Sequence, residues 1–250
     1  MNQPLVQYDV EGPLATITLD SPHNRNALSR ALVGGLFECL DRAEADDAVK
    51  VVLIRSSQRV FCSGADLSEA SEGGMTDGAR RIVDLQRLIV TLSKPVVTRI
   101  DGPVRAGGIG IVAASDIALC VEEATFALTE VKLGLAAAII SLTVHHRMNP
   151  RAAALTTLGG EVFDGRAAAS YGLVTEAVPA DQMDARVAEV CASLATGDQQ
   201  GLRESKRVLN RDLVARIDAS GDEMAELSGR LFASDAAREA MLRFLSRGKG

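Results

Sequence analysis

The sequence predicts an α/β body followed by a layer of helices, and three observations support this fold class. In the first 180 residues, short β-branched segments alternate with amphipathic helical segments, which is typical of parallel strands linked by helices. From about Pro150 onwards helical segments follow one another, and only LVTEAV (173–178) has the pattern of a strand. The 250 residues, 47% of them hydrophobic, are enough for one buried core. We therefore expect residues 1–180 to form the core and residues 181–250 to form a helical region that serves oligomerisation.

The elements of the core are predicted from local patterns, in chain order. LATITLD (14–20) alternates between apolar and polar residues and is rich in β-branched side chains, which predicts a strand. Leu28, Leu32, Leu36 and Leu40 recur at helical spacing and predict a helix after it. The next predicted elements are strands at 49–56, 95–100, 116–121 and 124–128, and an amphipathic helix at 79–93 that is stopped by Pro95.

The helical region is predicted from six segments with helical periodicity. They show no repeat at the periods expected of solenoid proteins. The six segments are residues 150–158, 164–172, 180–195, 200–217, 223–232 and 235–247.

Composition argues against several classes of protein. The net charge is −6 and no run of basic residues stands out, so binding to nucleic acid is not expected. The longest apolar run, LGLAAAIISLTV (133–144), is too short to span a membrane, and MNQPLVQYDV lacks the features of a signal peptide. The four cysteines contain no CxxC pair, which favours reduced thiols over disulfides or zinc ligands. We therefore expect a cytoplasmic protein that does not bind membranes.

The segment RAGGIGIVAASDI (105–117) allows three interpretations. Residues 108–113 match the GxGxxA pattern of a dinucleotide loop, but DGPVRAG separates these glycines from the preceding strand. The small residues also suit a buried helix packed tightly on a sheet. Thirdly, the unpaired N–H groups at the start of a helix can bind an oxyanion, and glycine lets a substrate oxygen approach the backbone closely.

FCSGADLSE (61–69) has the same character, with a strand end, a glycine and an expected helix start at Ala65 and Asp66. The simple interpretation is a helix cap, in which Asp66 or Ser63 accepts hydrogen bonds from the first turn. Two glycine-marked helix starts that both follow sheet strands are also able to direct two N–H groups at one oxygen.

Seven segments, in their order and spacing, resemble the crotonase (enoyl-CoA hydratase/isomerase) superfamily over essentially the whole chain. They are NRNAL (24–28), FCSGADL (61–67), KPVVTRIDGPVRAGGIG (94–110), SDIAL (115–119), TFALTEVKLGL (125–135), GEVFDGRAAASYGLV (160–174) and SDAAREAMLRFL (234–245).

The resemblance implies a crotonase fold of stacked ββα units with a helical trimerisation layer, and an acyl-CoA thioester as substrate. Its carbonyl oxygen lies between two backbone N–H groups, which by motif position belong to Ala65 and Gly107. Removing a proton next to a thioester places negative charge on this oxygen, and one fixed donor there is worth about 2.7–4 kcal/mol.

The resemblance also implies a catalytic carboxylate. Hydratases of the family usually carry two glutamates, but Gly110 stands at the first position of this sequence and only the second remains, as Glu130. Its neighbours Phe126, Leu128, Val131 and Leu133 are apolar, which is expected to raise its pKa.

Further residues are assigned to substrate and CoA binding. Phe232 and Lys249 are expected to reach the CoA of a neighbouring subunit, although Lys249 also fits a frayed tail. Arg25 and Arg59 are expected to supply positive charge for the phosphates of CoA. Arg105 is either a sheet-edge residue or a partner of a substrate carboxylate or phosphate. The full set is Arg25, Ala27, Leu28, Ser63, Asp66, Leu67, Gly108, Phe232 and Lys249.

These observations favour a hydratase that adds water to a 2-enoyl-CoA. GLAAAIISLTV (134–144) and the glycine segment resemble a bacterial branch that includes methylglutaconyl-CoA hydratase-like enzymes. Two alternatives stay open, a 3,2-enoyl-CoA isomerase and an acyl-CoA-binding paralogue without activity. No metal or redox cofactor is expected, since CoA is part of the substrate and His145 and His146 lack further donors nearby. The expected assembly is a homotrimer or a dimer of trimers.

Overall fold

A six-stranded sheet forms the centre of the computed structural model, which describes residues 4–69 and 75–247. Its strand order is β1-β2-β3-β4-β6-β9, and every neighbouring pair is parallel except the antiparallel pair β1–β2. A three-stranded sheet in the order β5-β7-β8 stands apart from it. The strands are β1 (Val6–Glu11), β2 (Leu14–Leu19), β3 (Val51–Ser56), β4 (Val96–Ile100), β5 (Val104–Arg105), β6 (Ile117–Val121), β7 (Thr125–Ala127), β8 (Phe163–Asp164) and β9 (Glu176–Val178).

Helices connect the strands and then follow one another after β9. They are α1 (Arg30–Ala45), α2 (Met75–Thr91), α3 (Gly107–Ala114), α4 (Ala138–Arg147), α5 (Pro150–Gly159), α6 (Gly165–Ser170), α7 (Met183–Ala195), α8 (Gln199–Leu209), α9 (Arg211–Phe232) and α10 (Asp235–Arg247). Short 3₁₀ helices cover Pro22–Asn24, Thr129–Leu133 and Ala180–Gln182. The mixed α/β fold with helices at its C-terminal end is the predicted fold class.

The core explains why the sequence patterns predicted most of these elements. In β3, Val51–Ile54 are all buried, as expected for a parallel strand that is covered on both faces. In α1, Leu32, Leu36 and Leu40 form the buried face. The helix begins after Ser29, whose Oγ accepts a hydrogen bond from the N–H of Leu32. Leu28 therefore lies before the helix and does not belong to its buried face.

The boundaries of the C-terminal helices differ from the prediction. The expected helix 200–217 is interrupted at Asn210, whose side chain donates hydrogen bonds to the Val90 carbonyl and to Asp116. The expected break before residue 223 is absent, since α9 runs through Gly221. A Cβ at Gly221 would lie 2.9 Å from Cγ1 of Val83, so this glycine lets α9 approach α2 closely. Pattern reasoning also missed strands β1, β5 and β8.

A buried polar cluster joins α8 and α9 to the sheet. Lys206 Nζ lies 2.7 Å from Asp116 Oδ2 and also donates to the carbonyls of Ile89 and Lys94. All three donors of this ammonium group are thereby used. Asp116 also accepts hydrogen bonds from the Val96 N–H at 2.8 Å and from Asn210 Nδ2 at 3.0 Å. The cluster thus fixes the helical region to the N-terminal ends of β4 and β6.

Candidate active site

Three chain segments meet beside the small sheet. Cys62 forms a parallel bridge with Val104, and the N–H of Arg105 donates to the Cys62 carbonyl at 2.9 Å. On the other side, β5 pairs with β7, and the N–H of Ala106 donates to the Ala127 carbonyl at 3.1 Å. Residues 62–65, 104–107 and 127–130 therefore run next to one another, although they are far apart in the sequence.

The N–H groups of Ala65 and Gly107 lie on neighbouring segments of this arrangement. Gly64 and Ala106, the residues before them, are in contact, since a Cβ on Gly64 would lie 3.0 Å from the Cβ of Ala106. Gly107 is the first residue of α3, so its N–H has no acceptor inside the helix. In the part of the chain that the structure describes, neither N–H has a backbone acceptor. Both are available to a ligand oxygen.

The helix start expected at Ala65 and Asp66 is wrong. Ala65 forms an isolated parallel bridge with Leu28, and the N–H of Leu28 donates to the Gly64 carbonyl at 2.8 Å. Asp66 begins a tight turn, since its carbonyl accepts a hydrogen bond from the Glu69 N–H at 3.2 Å and its Oδ1 accepts from the N–H and Oγ of Ser68. The backbone at Ala65 is thus held by strand pairing, whereas that at Gly107 is held by a helix.

Two backbone features direct these N–H groups. Gly64 has φ +97°, a conformation that side chains disfavour, and Ala106 has φ +47° with ψ −123°. A non-glycine residue in this region carries strain and persists only where its surroundings enforce it. A Cβ at Gly107 would lie 2.9 Å from Leu28 Cδ1, so Leu28 packs directly on the backbone there.

Asn26 braces the loop before Leu28, and sequence reasoning did not single it out. It is fully buried with φ +55°, a conformation that asparagine tolerates better than most residues. Its Nδ2 donates to Ser56 Oγ and to the carbonyls of Val60 and Phe61, and its Oδ1 accepts from the Ser21 N–H. An asparagine between a strand and a helix is a weak signal, because its partners lie about 30 residues away in the sequence.

Glu130 lies in the 3₁₀ helix that follows β7 and faces the same cavity as the two N–H groups. Its Oε2 atom is buried and has no hydrogen-bond partner among the residues that the structure describes. Burial raises the pKa of Glu130 from its ordinary value of 4.5 to about 7, and a backbone hydrogen bond opposes this only in part. A carboxyl group with this pKa both accepts and donates a proton near neutral pH.

Gly110, one turn after Gly107, has no room for a side chain. A Cβ there would lie 2.6 Å from Cγ2 of Ile140 and 3.1 Å from Oε1 of Gln86. Both side chains are almost completely buried. The packing of α2 and α4 around Gly110 therefore leaves no room for a carboxylate side chain at this position.

Ala65, Gly107 and Glu130 line a cavity of about 1480 Å³. Its wall includes most of the residues that the sequence assigned to substrate binding. Pattern reasoning missed the apolar part of the wall, because periodicity does not tell which buried helix face borders a cavity. The assigned residues on the wall are Arg25, Ala27, Leu28, Ser63, Ala65, Asp66, Leu67, Gly107, Glu130 and Phe232, and the missed apolar residues include Met75, Ala79, Ile82, Ala137 and Ile140.

Two assigned residues lie away from the cavity lining, and a third is outside the described residues. Gly108 lies behind the wall, where a Cβ would be 2.7 Å from the Cβ of Cys62. Arg59 is exposed and outside the cavity lining, and Lys249 lies outside the described residues. The binding roles proposed for all three stay predictions.

Arg105 lies on the cavity wall and is half-buried. Its guanidinium group donates to the carbonyls of Val104 and Thr125 and to Thr125 Oγ1. Burial lowers the pKa of Arg105. This placement combines a sheet-edge role with access to the cavity, and pairing with a substrate anion stays a prediction.

The alternative chemistries find little support in the geometry. Burial raises the pKa of the Cys62 thiol to about 12, so it is a packing group and not a nucleophile. Ser63 Oγ donates to the Asn24 carbonyl. Within residues 4–69 and 75–247, no group of three His, Cys, Asp or Glu side chains is arranged to hold a metal ion. Over the same residues, no helix is both long enough and apolar enough to cross a bilayer.

Comparison with known proteins shows the family and the fold of the chain. Residues 9–250 match the family described as enoyl-CoA hydratase/isomerase. The crystal structure of an enoyl-CoA hydratase from Mycobacterium avium superimposes with a TM-score of 0.92 at 44% identity, covering 98% of each chain. An enoyl-CoA hydratase/isomerase from Xanthobacter autotrophicus Py2 superimposes with a TM-score of 0.84 at 26% identity, covering 97% of this chain and 98% of that one. A hydroxycinnamoyl-CoA hydratase-lyase from Pseudomonas fluorescens is 27% identical over 215 residues, which are 82% of this chain and 78% of that protein.

Proposed function

The chain belongs to the enoyl-CoA hydratase/isomerase family, and we propose that it adds water to a 2-enoyl-CoA. Glu130 is the acid and base, and the N–H groups of Ala65 and Gly107 hold the thioester oxygen. The observation that carries this proposal is the buried Oε2 of Glu130, which has no hydrogen-bond partner among the described residues, in a cavity that Ala65, Gly107 and Glu130 line together. Names of relatives such as the Mycobacterium avium enoyl-CoA hydratase support hydration.

The proposed reaction needs one carboxylate, two N–H groups and one water. Glu130 takes a proton from the water while the water oxygen bonds to C3 and the electrons of the C2–C3 double bond move towards the thioester oxygen. The two N–H groups stabilise the negative charge on that oxygen. Glu130 then returns its proton to C2 as the carbonyl re-forms. The product is a 3-hydroxyacyl-CoA, and no metal or redox cofactor takes part in this scheme.

A pKa near 7 suits both halves of this scheme. Above about pH 7 the carboxylate of Glu130 is ionised and able to accept the proton of water, and the resulting acid is strong enough to release it to C2.

A second candidate is the isomerisation of a 3-enoyl-CoA to a 2-enoyl-CoA. The packing of Ile140 against Gly110 favours it, because it leaves no room for the second carboxylate that hydratases of the family usually carry, and a proton shift from C2 to C4 does not need one. Glu130 would remove the proton from C2 and return it to C4 without adding atoms.

The proposal is tested by following the loss of crotonyl-CoA absorbance with Glu130→Gln. We expect the hydration rate to fall about 10²–10⁴-fold, the usual contribution of a positioned acid or base. Glu123→Gln is the matched control, since Glu123 is an exposed glutamate in the same stretch of chain and is absent from the cavity lining. Hydration that survives Glu130→Gln at the unaltered rate would overturn the proposal. Tight CoA binding without turnover by the unaltered chain would indicate an inactive binding protein.

A further inference from the structure

Ile140 occupies the space beside Gly110. This side chain comes from the first turn of α4 and is 1% exposed. Its Cγ2 lies where a residue with a side chain at 110 would need room, since a Cβ there would be only 2.6 Å away. Glycine at 110 and isoleucine at 140 thus fit one another, and a larger residue at 110 would displace Ile140.

Ile140 also borders the reaction cavity. Gly107 and Gly110 are three residues apart in α3 and lie on the same side of that helix. Ile140 therefore covers the first turn of α3, which begins at Gly107. None of the described lining residues from α3 and α4 is ionisable, since they are Gly107, Ile139 and Ile140.

Gln86 is the polar side chain beside Gly110, and both polar atoms of its amide group form hydrogen bonds within the protein. Its Nε2 donates to the carbonyls of Ile82 and Ile139 at 3.2 and 3.1 Å. Its Oε1 accepts from Thr143 Oγ1 at 2.7 Å. Moving Gln86 to bind a water molecule would break hydrogen bonds between buried groups, which is costly. The part of the cavity wall beside Gly110 therefore offers no polar group that is ready to bind water.

Resting on the proposed function, we infer that Ile140 is a specificity-determining residue that sets the balance between hydration and double-bond isomerisation. Both reactions place negative charge on the thioester oxygen and use Glu130 as the proton carrier. Hydration needs a water molecule ordered over C3, whereas isomerisation transfers one proton from C2 to C4 and consumes no water. An apolar side chain offers water no hydrogen bond, so Ile140 disfavours hydration relative to isomerisation.

Two substitutions of nearly equal shape test this role. Ile140→Val keeps both Cγ atoms and the apolar wall, and Ile140→Thr replaces one methyl group by a hydroxyl that binds water. The measured quantity is kcat/KM for hydration of a 2-enoyl-CoA divided by kcat/KM for isomerisation of the 3-enoyl-CoA of equal length. We expect Ile140→Val to keep the ratio of the unaltered enzyme and Ile140→Thr to raise it about tenfold, the size of effect that one group in a binding pocket produces.

Leu142→Ala is the control for lost packing. Leu142 lies in the same helix, is 2% exposed and does not border the cavity, so its truncation is expected to lower the melting temperature and leave the ratio unchanged. Equal ratios for Ile140→Val and Ile140→Thr would overturn the inference, as would an unaltered enzyme that hydrates without isomerising. Failure of the proposed function would look different, because the unaltered enzyme would then not hydrate the 2-enoyl-CoA at all, whether or not it isomerises the 3-enoyl-CoA.

Discussion

Asp116 and Glu130 are two carboxylates withdrawn from water, and they differ in their partners. Asp116 is paired with the Lys206 ammonium and accepts two further hydrogen bonds, from the Val96 N–H and from Asn210. Within residues 4–69 and 75–247, Glu130 Oε2 has no hydrogen-bond partner. Burial of a satisfied carboxylate holds chain segments together, whereas burial of an unsatisfied one raises its pKa and leaves it reactive. The contrast separates a structural acid from a functional one.

The largest effect is expected at the satisfied carboxylate. Asp116→Ala leaves the Lys206 ammonium buried without its counter-charge, which should lower the free energy of unfolding by about 3–5 kcal/mol. Chemical denaturation measures this loss. The control is Asp222→Ala, which removes an exposed ion pair with Arg80 and is expected to cost less than about 1 kcal/mol. Equal losses for both variants would contradict the contrast drawn here.

Replacing the unsatisfied carboxylate, Glu130, is expected to stabilise the folded state, which is the opposite of the effect at Asp116. Since the pKa of Glu130 is raised from 4.5 to about 7, the folded state binds more protons than the unfolded state between these pH values, and stability falls as pH rises through that window. Glu130→Gln removes this penalty, so at pH 8 the variant should be more stable by about 1–3 kcal/mol.

Below pH 4.5 the gain should disappear, because Glu130 is then protonated in both states. Thermal unfolding of the two proteins at pH 4 and pH 8 measures the difference. A variant that is less stable at pH 8 would show that Glu130 has a stabilising partner.

The smallest effect is expected at Ala106, which has φ +47° next to the Gly107 N–H. Glycine adopts this conformation without strain, so Ala106→Gly should stabilise the fold by about 1 kcal/mol or less, after the greater flexibility of the unfolded chain is counted. If the alanine helps to fix the direction of the Gly107 N–H, the variant should lower kcat more than it changes KM. A loss of stability would show that packing of the Ala106 methyl group contributes more free energy than the strained backbone costs.

The sequence predicted the parts of the site that depend on short motifs. Segments 61–67, 94–110 and 125–135 contain Ala65, Gly107 and Glu130, and the structure brings these three residues to one cavity. The family comparison confirms the superfamily and the α/β fold, whereas the methylglutaconyl-CoA hydratase-like branch stays a prediction. Periodicity also predicted the buried face of α1, because that pattern is local.

What the sequence did not predict depends on contacts between distant segments. Ile140 and Gly110, or Lys206 and Asp116, lie 30 and 90 residues apart (140 − 110 and 206 − 116), and no local pattern relates them. The strained backbone of Ala106 is likewise invisible, since alanine normally favours helix. The strand bridge that holds Ala65 replaced an expected helix start because pairing with Leu28 decides the conformation there.

The central claim is that the unpartnered Glu130 is the proton carrier, and the pH dependence of kcat/KM for a 2-enoyl-CoA tests it most directly. We predict that kcat/KM rises with pH through a single transition near pH 7, as the carboxyl group of the free enzyme ionises, and that Glu130→Gln abolishes both the activity and the transition. Full activity that persists unchanged down to pH 5 would contradict the account.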